Sequence, residues 1–169
     1  GITYVVLAGA EPSLVPELLD VCHEQIPLGC IATNGLVFID PAVDYRIHIS
    51  VWGNDDTSRQ TRGAADMLRR QIQFYANDPR AVFVYTFTRH NIGQVHEVAG
   101  QLAKHHCRIT FNMFSAPVGY SGALVHDEQS LFQTRQAMAQ VSRQYPDNVL
   151  FSPYSRVVHT HPKSLHDLF

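Results

Sequence analysis

The run Tyr45-Arg46-Ile47-His48-Ile49-Ser50-Val51-Trp52-Gly53 and the later run Ala81-Val82-Phe83-Val84-Tyr85-Thr86 decide the fold class. Both are rich in β-branched and aromatic residues, which suit a pleated, packed surface. Between them, Asp56 or Thr57 opens a helical pattern reaching Tyr75, with Ala64, Ala65, Leu68, Ile72 and Tyr75 on one face. A strand, a helix and a second strand in that order form a crossover unit, which joins parallel strands.

The same alternation extends in both directions. Upstream, residues 29–33 read as a strand broken by Asn34-Gly35. Before it, Pro16 opens a helix carrying Leu18, Leu19, Cys22 and Ile26. The apolar run at residues 2–7 reads as a first strand buried on both faces. Downstream, Asn91 and Gln94 have the spacing of a capping box, ahead of a helix presenting Val95, Ala99 and Leu102. A fifth strand over residues 108–114 follows, then a loop at 119–122. A helix from Asp127 to about Tyr145 carries Leu131, Met138 and Val141, and residues 149–151 suggest a sixth strand. The pattern fits an α/β barrel or a doubly wound sheet. No linker or repeat divides the chain, so residues 1–169 read as one domain.

Composition narrows the function. The chain of 169 residues has 13 Lys+Arg against 15 Asp+Glu, a formal net charge of −2, and no basic run. Nucleic acid and anionic membranes are therefore poor partners. No apolar run approaches the roughly 20 residues a spanning helix needs. The three cysteines, Cys22, Cys30 and Cys107, are odd in number and irregularly spaced. That pattern argues against a disulfide framework and for a reducing, cytoplasmic setting. The opening Gly1 and strand-like run read as a cut or processed end.

In parallel α/β folds, ligands bind at the carboxyl ends of the strands. The first strand ends in Ala8-Gly9-Ala10-Glu11-Pro12, where small residues admit a ligand to the backbone and Glu11 offers a carboxylate. The second ends in Thr33-Asn34-Gly35, and the third in Ile49-Ser50-Val51-Trp52-Gly53. Arg62, before Gly63, has a guanidinium suited to clamping a carboxylate. Each residue also has a plain structural reading: Asn34-Gly35 as a tight turn, Ser50 as a strand-end hydroxyl, Arg62 as solvated helix surface.

Taken in order, Gly9-Ala10-Glu11-Pro12, Thr33-Asn34-Gly35, Ile49-Ser50-x-x-Gly53 and Arg62-Gly63 resemble the radical S-adenosylmethionine enzymes, in the branch with molybdenum-cofactor, sulfatase-maturing and peptide-modifying members. The likeness runs on to Asn112, with Ala10 where the family usually has a second glycine. It implies a partial (β/α) TIM-type barrel. It also implies that Gly9, Ala10 and Glu11 receive the amino group of S-adenosylmethionine, and that Ser50 bonds the ribose. Arg62 would pair with the carboxylate and Thr33 line the pocket, while the backbone near Met113 and Phe114 packs against adenine. Asn91 is read as a helix cap.

The family's Cys-x3-Cys-x2-Cys loop, which holds a 4Fe-4S cluster, is absent, and neither Cys22 nor Cys30 can replace it. The resemblance places that unit upstream. It implies reductive cleavage of S-adenosylmethionine to a 5′-deoxyadenosyl radical that modifies a small-molecule or peptide substrate. The electron donor would be one such as flavodoxin or ferredoxin. The chain alone would then be inactive.

Two other readings stay open. His159-Thr160-His161 places two imidazoles on one side of an extended segment, as in barrel metal-dependent hydrolases, with Asp167 or His126 completing a site. A cluster-free, non-catalytic barrel is the third. His48 shares a strand face with Ser50, His90 falls in a strand-to-helix loop, and His105-His106 close a helix.

Overall fold

The computed structural model describes residues 1–151. Its strands are β1 (Val5–Leu7), β2 (Gly29–Thr33), β3 (Arg46–Val51), β4 (Ala81–Phe87) and β5 (Ile109–Met113). The helices are α1 (Pro16–Gln25), α2 (Asp55–Arg62), α3 (Met67–Tyr75), α4 (Val95–Lys104) and α5 (Glu128–Gln144). All neighbouring strands are parallel, and the sheet order is β1-β2-β3-β4-β5. A doubly wound sheet reverses its strand order at a switch point. This one never does. Consecutive right-handed crossovers put every helix on the same face, and the result is an α/β fold of the partial (β/α) barrel kind.

Packing follows from strand alternation. Ile47, Ile49 and Val51 point to the helices and join Ile31, Phe83, Tyr85, Phe87 and Ile109 in one core. Leu19, Leu68, Ile72, Tyr75, Val98, Leu102, Met138 and Val141 cover that core from the helix side. A side chain such as Phe83, fully out of water, contributes on the order of 1.5–3 kcal/mol. The residues in between, Arg46, His48 and Ser50 on β3, face the other, open side of the sheet.

Two expectations need correction. Residues 2–7 do not form a strand buried on both faces. Only Val5–Leu7 pairs, at the sheet edge, and Val6 is 61% exposed because no helix among the described residues covers the open face. The single helix expected up to Tyr75 is two. Gly63 takes a left-handed φ of 69° and ends α2, and Asp55 of α2 then accepts the Leu68 N–H at 2.8 Å near the start of α3. Ala64 and Ala65 therefore lie in the break, away from the buried face. At the far end, Val149 makes one parallel bridge to Ile109, the beginning of the expected sixth strand.

Candidate functional site

The carboxyl ends of β1, β2 and β3 are locked together around one carboxylate. After β1 the chain reverses through Gly9 (φ 90°) and Ala10 (φ 44°), which delivers Glu11 to the head of a short 3₁₀ turn, Pro12–Leu14. Glu11 Oε1 accepts from the Ser13 N–H (3.2 Å), the Ser13 hydroxyl (2.6 Å) and the Thr33 hydroxyl (2.5 Å). Its Oε2 accepts from the Asn34 N–H at 2.8 Å. Burial pushes the Glu11 pKa up, but these donors outweigh it and hold the carboxyl below the usual glutamate range. The group is thus a fixed anion. Among the described residues it has no ion-pair partner.

Thr33 is buried, and its hydroxyl is consumed between Glu11 and the Gly35 N–H, which it accepts at 3.0 Å. It braces Glu11 from behind. Asn34 Oδ1 accepts the Leu36 N–H at 2.8 Å, a side-chain turn that shapes the loop.

Gln71 ties this assembly to β3. Its Nε2 donates to the Asn34 carbonyl (2.7 Å) and the Ser50 carbonyl (3.0 Å) from the buried face of α3. The Ser50 side chain stands half-buried on the open face, and its hydroxyl makes no hydrogen bond among the described residues. A donor and acceptor are left for a ligand.

Arg62 closes α2 and lays its guanidinium 5.4 Å from the centroid of the Trp52 ring, a cation–π contact. Although Arg62 is exposed, the protein around it lowers its pKa by desolvation, and the Glu11 charge opposes that shift. The two opposite charges therefore sense each other across the strand ends. Trp52 meets Phe114 edge-on at 5.9 Å, and Phe114 meets Tyr120 at 6.0 Å. This aromatic row crosses the end of β5, beside Met113. Asn112 is exposed and makes a local contact with the Met113 N–H.

Asn91 stands at the N-cap position of a short 3₁₀ turn, Ile92–Gln94, but its side chain does not cap it. Its amide is fully buried, accepts the Thr88 N–H (2.8 Å) and donates to the Trp52 and Thr86 carbonyls (3.0 and 2.9 Å). It thereby fixes the carbonyl of the residue on which Arg62 rests. Gln94 works alongside, accepting the Asn54 N–H and donating to Thr57 at the start of α2.

Sequence reasoning missed Gln71, Asn91 and Trp52 as parts of the site. One signal existed for Gln71: it sits on the same helix face as Leu68, Ile72 and Tyr75, where an amide is costly unless bonded.

S-adenosylmethionine, with an ammonium, a sulfonium and a carboxylate, fits this set of donors. Among the described residues Glu11 is an anion with no ion pair, Arg62 is an accessible cation, and nothing stands where a side chain at Gly9 would project. An iron–sulfur cluster does not fit the described residues. Cys22 is on α1, Cys30 on β2 and Cys107 before β5; all are free thiols. Burial raises the Cys30 pKa and pushes Cys107 up to about 11, the reverse of what a thiolate ligand needs. No group of three His, Cys, Asp or Glu among the described residues can hold a metal.

The histidines are equally dispersed. His126 bonds the Phe87 carbonyl, His90 lies in an exposed turn, and His105 and His106 follow the end of α4. His159, His161 and Asp167 lie outside the described residues. No helix among the described residues is long and apolar enough to cross a membrane.

No family model and no curated protein matches the chain. Solved structures do. The crystal structure of SuiB from Streptococcus suis is 18% identical with a TM-score of 0.67, over 90% of this chain and 39% of that one. SuiB bound to its precursor peptide SuiA gives 18% identity and a TM-score of 0.67, over 88% of this chain and 38% of that one. Histidine-tagged anSMEcpe with bound AdoMet gives 12% identity and a TM-score of 0.65, over 89% of this chain and 50% of that one. The chain spans at most about half the length of these proteins. At such identities the likeness is one of fold alone, an α/β fold of the partial (β/α) barrel kind.

Proposed function

We propose that the chain is the S-adenosylmethionine-binding core of a radical S-adenosylmethionine enzyme that modifies a small-molecule or peptide substrate. The observation that carries this reading is the Glu11 carboxylate. It is held by four hydrogen bonds, has no ion pair among the described residues, and stands at the strand ends within electrostatic reach of Arg62. The fold likeness to a protein with bound AdoMet and to one bound to a peptide supports it.

In this reading Glu11, with the backbone of Gly9 and Ala10, receives the ligand's ammonium. Arg62 pairs with its carboxylate, the Ser50 hydroxyl bonds the ribose, and Thr33 keeps Glu11 in place. Phe114 and Met113 flank the adenine. When bound and given one electron by a reduced cluster, S-adenosylmethionine would supply hydrogen-atom abstraction from the substrate. The chain's residues orient it and keep water from it. The described residues supply no set of cluster ligands, and in this reading flavodoxin or ferredoxin is the electron donor.

Calorimetric titration of S-adenosylmethionine into the full chain tests the assignment. Glu11→Gln and Arg62→Ala should each weaken binding by about 10-fold or more, since each removes a charge-assisted contact. Wild-type affinity in both variants contradicts it. A second reading, a cluster-free binding domain, is favoured by the scatter of the three thiols over α1, β2 and the approach to β5, with Cys30 and Cys107 buried. It predicts no bound iron or sulfide in the natural full-length protein after anaerobic reconstitution, whereas the enzyme reading predicts both.

A further inference from the structure

The open face of the sheet carries a feature that the proposed S-adenosylmethionine site does not use. Strand alternation puts Arg46 and His48 there, and the sheet register adds Val82 and Thr110. With Arg108 and Leu150 they line a cavity of about 490 Å³. Arg46 Nη1 donates to the Pro79 carbonyl at 3.1 Å. Arg108 Nη2 donates to that same oxygen and to the Ala81 carbonyl at 3.1 Å.

Two guanidiniums therefore converge on one neutral oxygen, and like charges so close repel. Neither forms an ion pair among the described residues. Arg108 does lie within the field of Asp78, but that carboxylate is committed to Arg80 at 2.6 Å. Of the five N–H donors on each guanidinium, those not on Pro79 or Ala81 have no hydrogen bond among the described residues. The Thr110 hydroxyl is spent on the Leu150 carbonyl at 3.0 Å. Beside the arginines, His48 is left with a ring N–H to donate. A fork of N–H groups on a doubly cationic cavity floor matches the planar, multi-oxygen edge of a carboxylate or the face of a phosphate.

We propose that this cavity binds an oxyanion, carboxylate or phosphate, carried by the substrate, with Arg46 and Arg108 as the clamp and His48 as a further donor. That the oxyanion belongs to the substrate rests on the proposed function, because the cavity opens on the sheet face to which Ser50 also projects. Oxyanion binding itself needs no S-adenosylmethionine.

The test titrates the full chain with three probes: inorganic phosphate, the capped peptide Ac-Glu-Glu-Glu-NH₂, and its neutral counterpart Ac-Gln-Gln-Gln-NH₂. Calorimetry is paired with the ring-proton resonances of His48. Phosphate or the glutamate peptide should bind and shift the His48 resonances, and whichever binds identifies the source of the oxyanion. The glutamine peptide should not bind. The R46A/R108A variant should lose at least about 10-fold in affinity, and R46K/R108K, which keeps the charges but not the fork, should fall in between. S-adenosylmethionine affinity should be unchanged in R46K/R108K. Equal binding of the glutamine peptide, wild-type affinity in both double variants, or no binding of either anion overturns the proposal. Loss of S-adenosylmethionine binding with anion binding intact would instead sink the enzyme reading alone.

Discussion

Arg80→Met is expected to lower the free energy of unfolding by about 3–5 kcal/mol, the cost of leaving a buried charge without its partner. The Arg80 side chain is 10% exposed and its partner Asp78 8%. Nε bonds both Asp78 oxygens (3.0 and 3.2 Å), and Nη2 bonds Asp78 Oδ2 at 2.6 Å. The remaining N–H groups reach the Ile39, Asp40 and Val43 carbonyls at 2.6–2.9 Å. One side chain thus satisfies three carbonyls of the connection between β2 and β3. Tyr75 adds a second anchor, accepting the Ile39 N–H and donating to the Val37 carbonyl, with burial pushing its phenol up to about 12.

Acid should change the size of that loss in a definite direction. Burial raises the Asp78 pKa, but Arg80 more than offsets it, so the folded carboxyl titrates below the usual aspartate range. A depressed carboxyl stabilises the fold above its unfolded pKa, and that contribution fades as pH falls through the folded value. Wild type therefore loses part of this pair's stabilisation in acid. The variant, holding a buried carboxylate without a guanidinium, is relieved by protonation. The gap between the two in urea unfolding should narrow as pH drops below about 4. A gap that widens in acid contradicts this role for the pair.

Gly35→Ala is the second large effect, about 3 kcal/mol, and it should also reach the ligand site. Gly35 sits at φ 69°, where a side chain costs on the order of 1–2 kcal/mol. Its Cβ would also lie 2.7 Å from Ile49 Cγ2 and 3.1 Å from Gln71 Cγ. Ile49 is fully buried, so the strain adds an overpacking cost of roughly 1–3 kcal/mol. Displacing Gln71 loosens the Asn34 and Ser50 carbonyls together, and S-adenosylmethionine affinity should fall with stability. Gly9→Ala is the control for crowding. Among the described residues nothing lies within 4 Å of its Cβ position, so only the backbone cost applies. Equal destabilisation by the two substitutions would show that crowding against Ile49 and Gln71 contributes nothing.

The strands were legible because runs such as Ile47 to Val51 and Ala81 to Thr86 carry their own signal, alternation or β-branched density. β1 was not, since an apolar run at a sheet edge looks the same as one in its centre. The break at Gly63 stood in the sequence as Arg62-Gly63, yet the apolar pattern on either side ran through it. The order of the β2–β3 connection was invisible because it depends on Arg80 and Tyr75, which lie far along the chain. Glu11 could be picked out by its place after β1, Ser50 by its place near the end of β3, and Arg62 by its place in the helix that follows β3. Their supports could not: Asn91 has the local spacing of a cap, and only the folded sheet brings the Trp52 carbonyl to its amide.

The most direct test of the central claim is where S-adenosylmethionine binds on the full chain, followed by amide chemical shifts in a ¹⁵N-labelled sample. Perturbations should concentrate at Gly9 to Glu11, Thr33 to Gly35, Ser50 to Gly53 and Arg62-Gly63, with loss of saturable shifts in Glu11→Gln at the same ligand concentration. Shifts centred on Arg46, His48 and Arg108 instead, or none at millimolar S-adenosylmethionine, would contradict the claim.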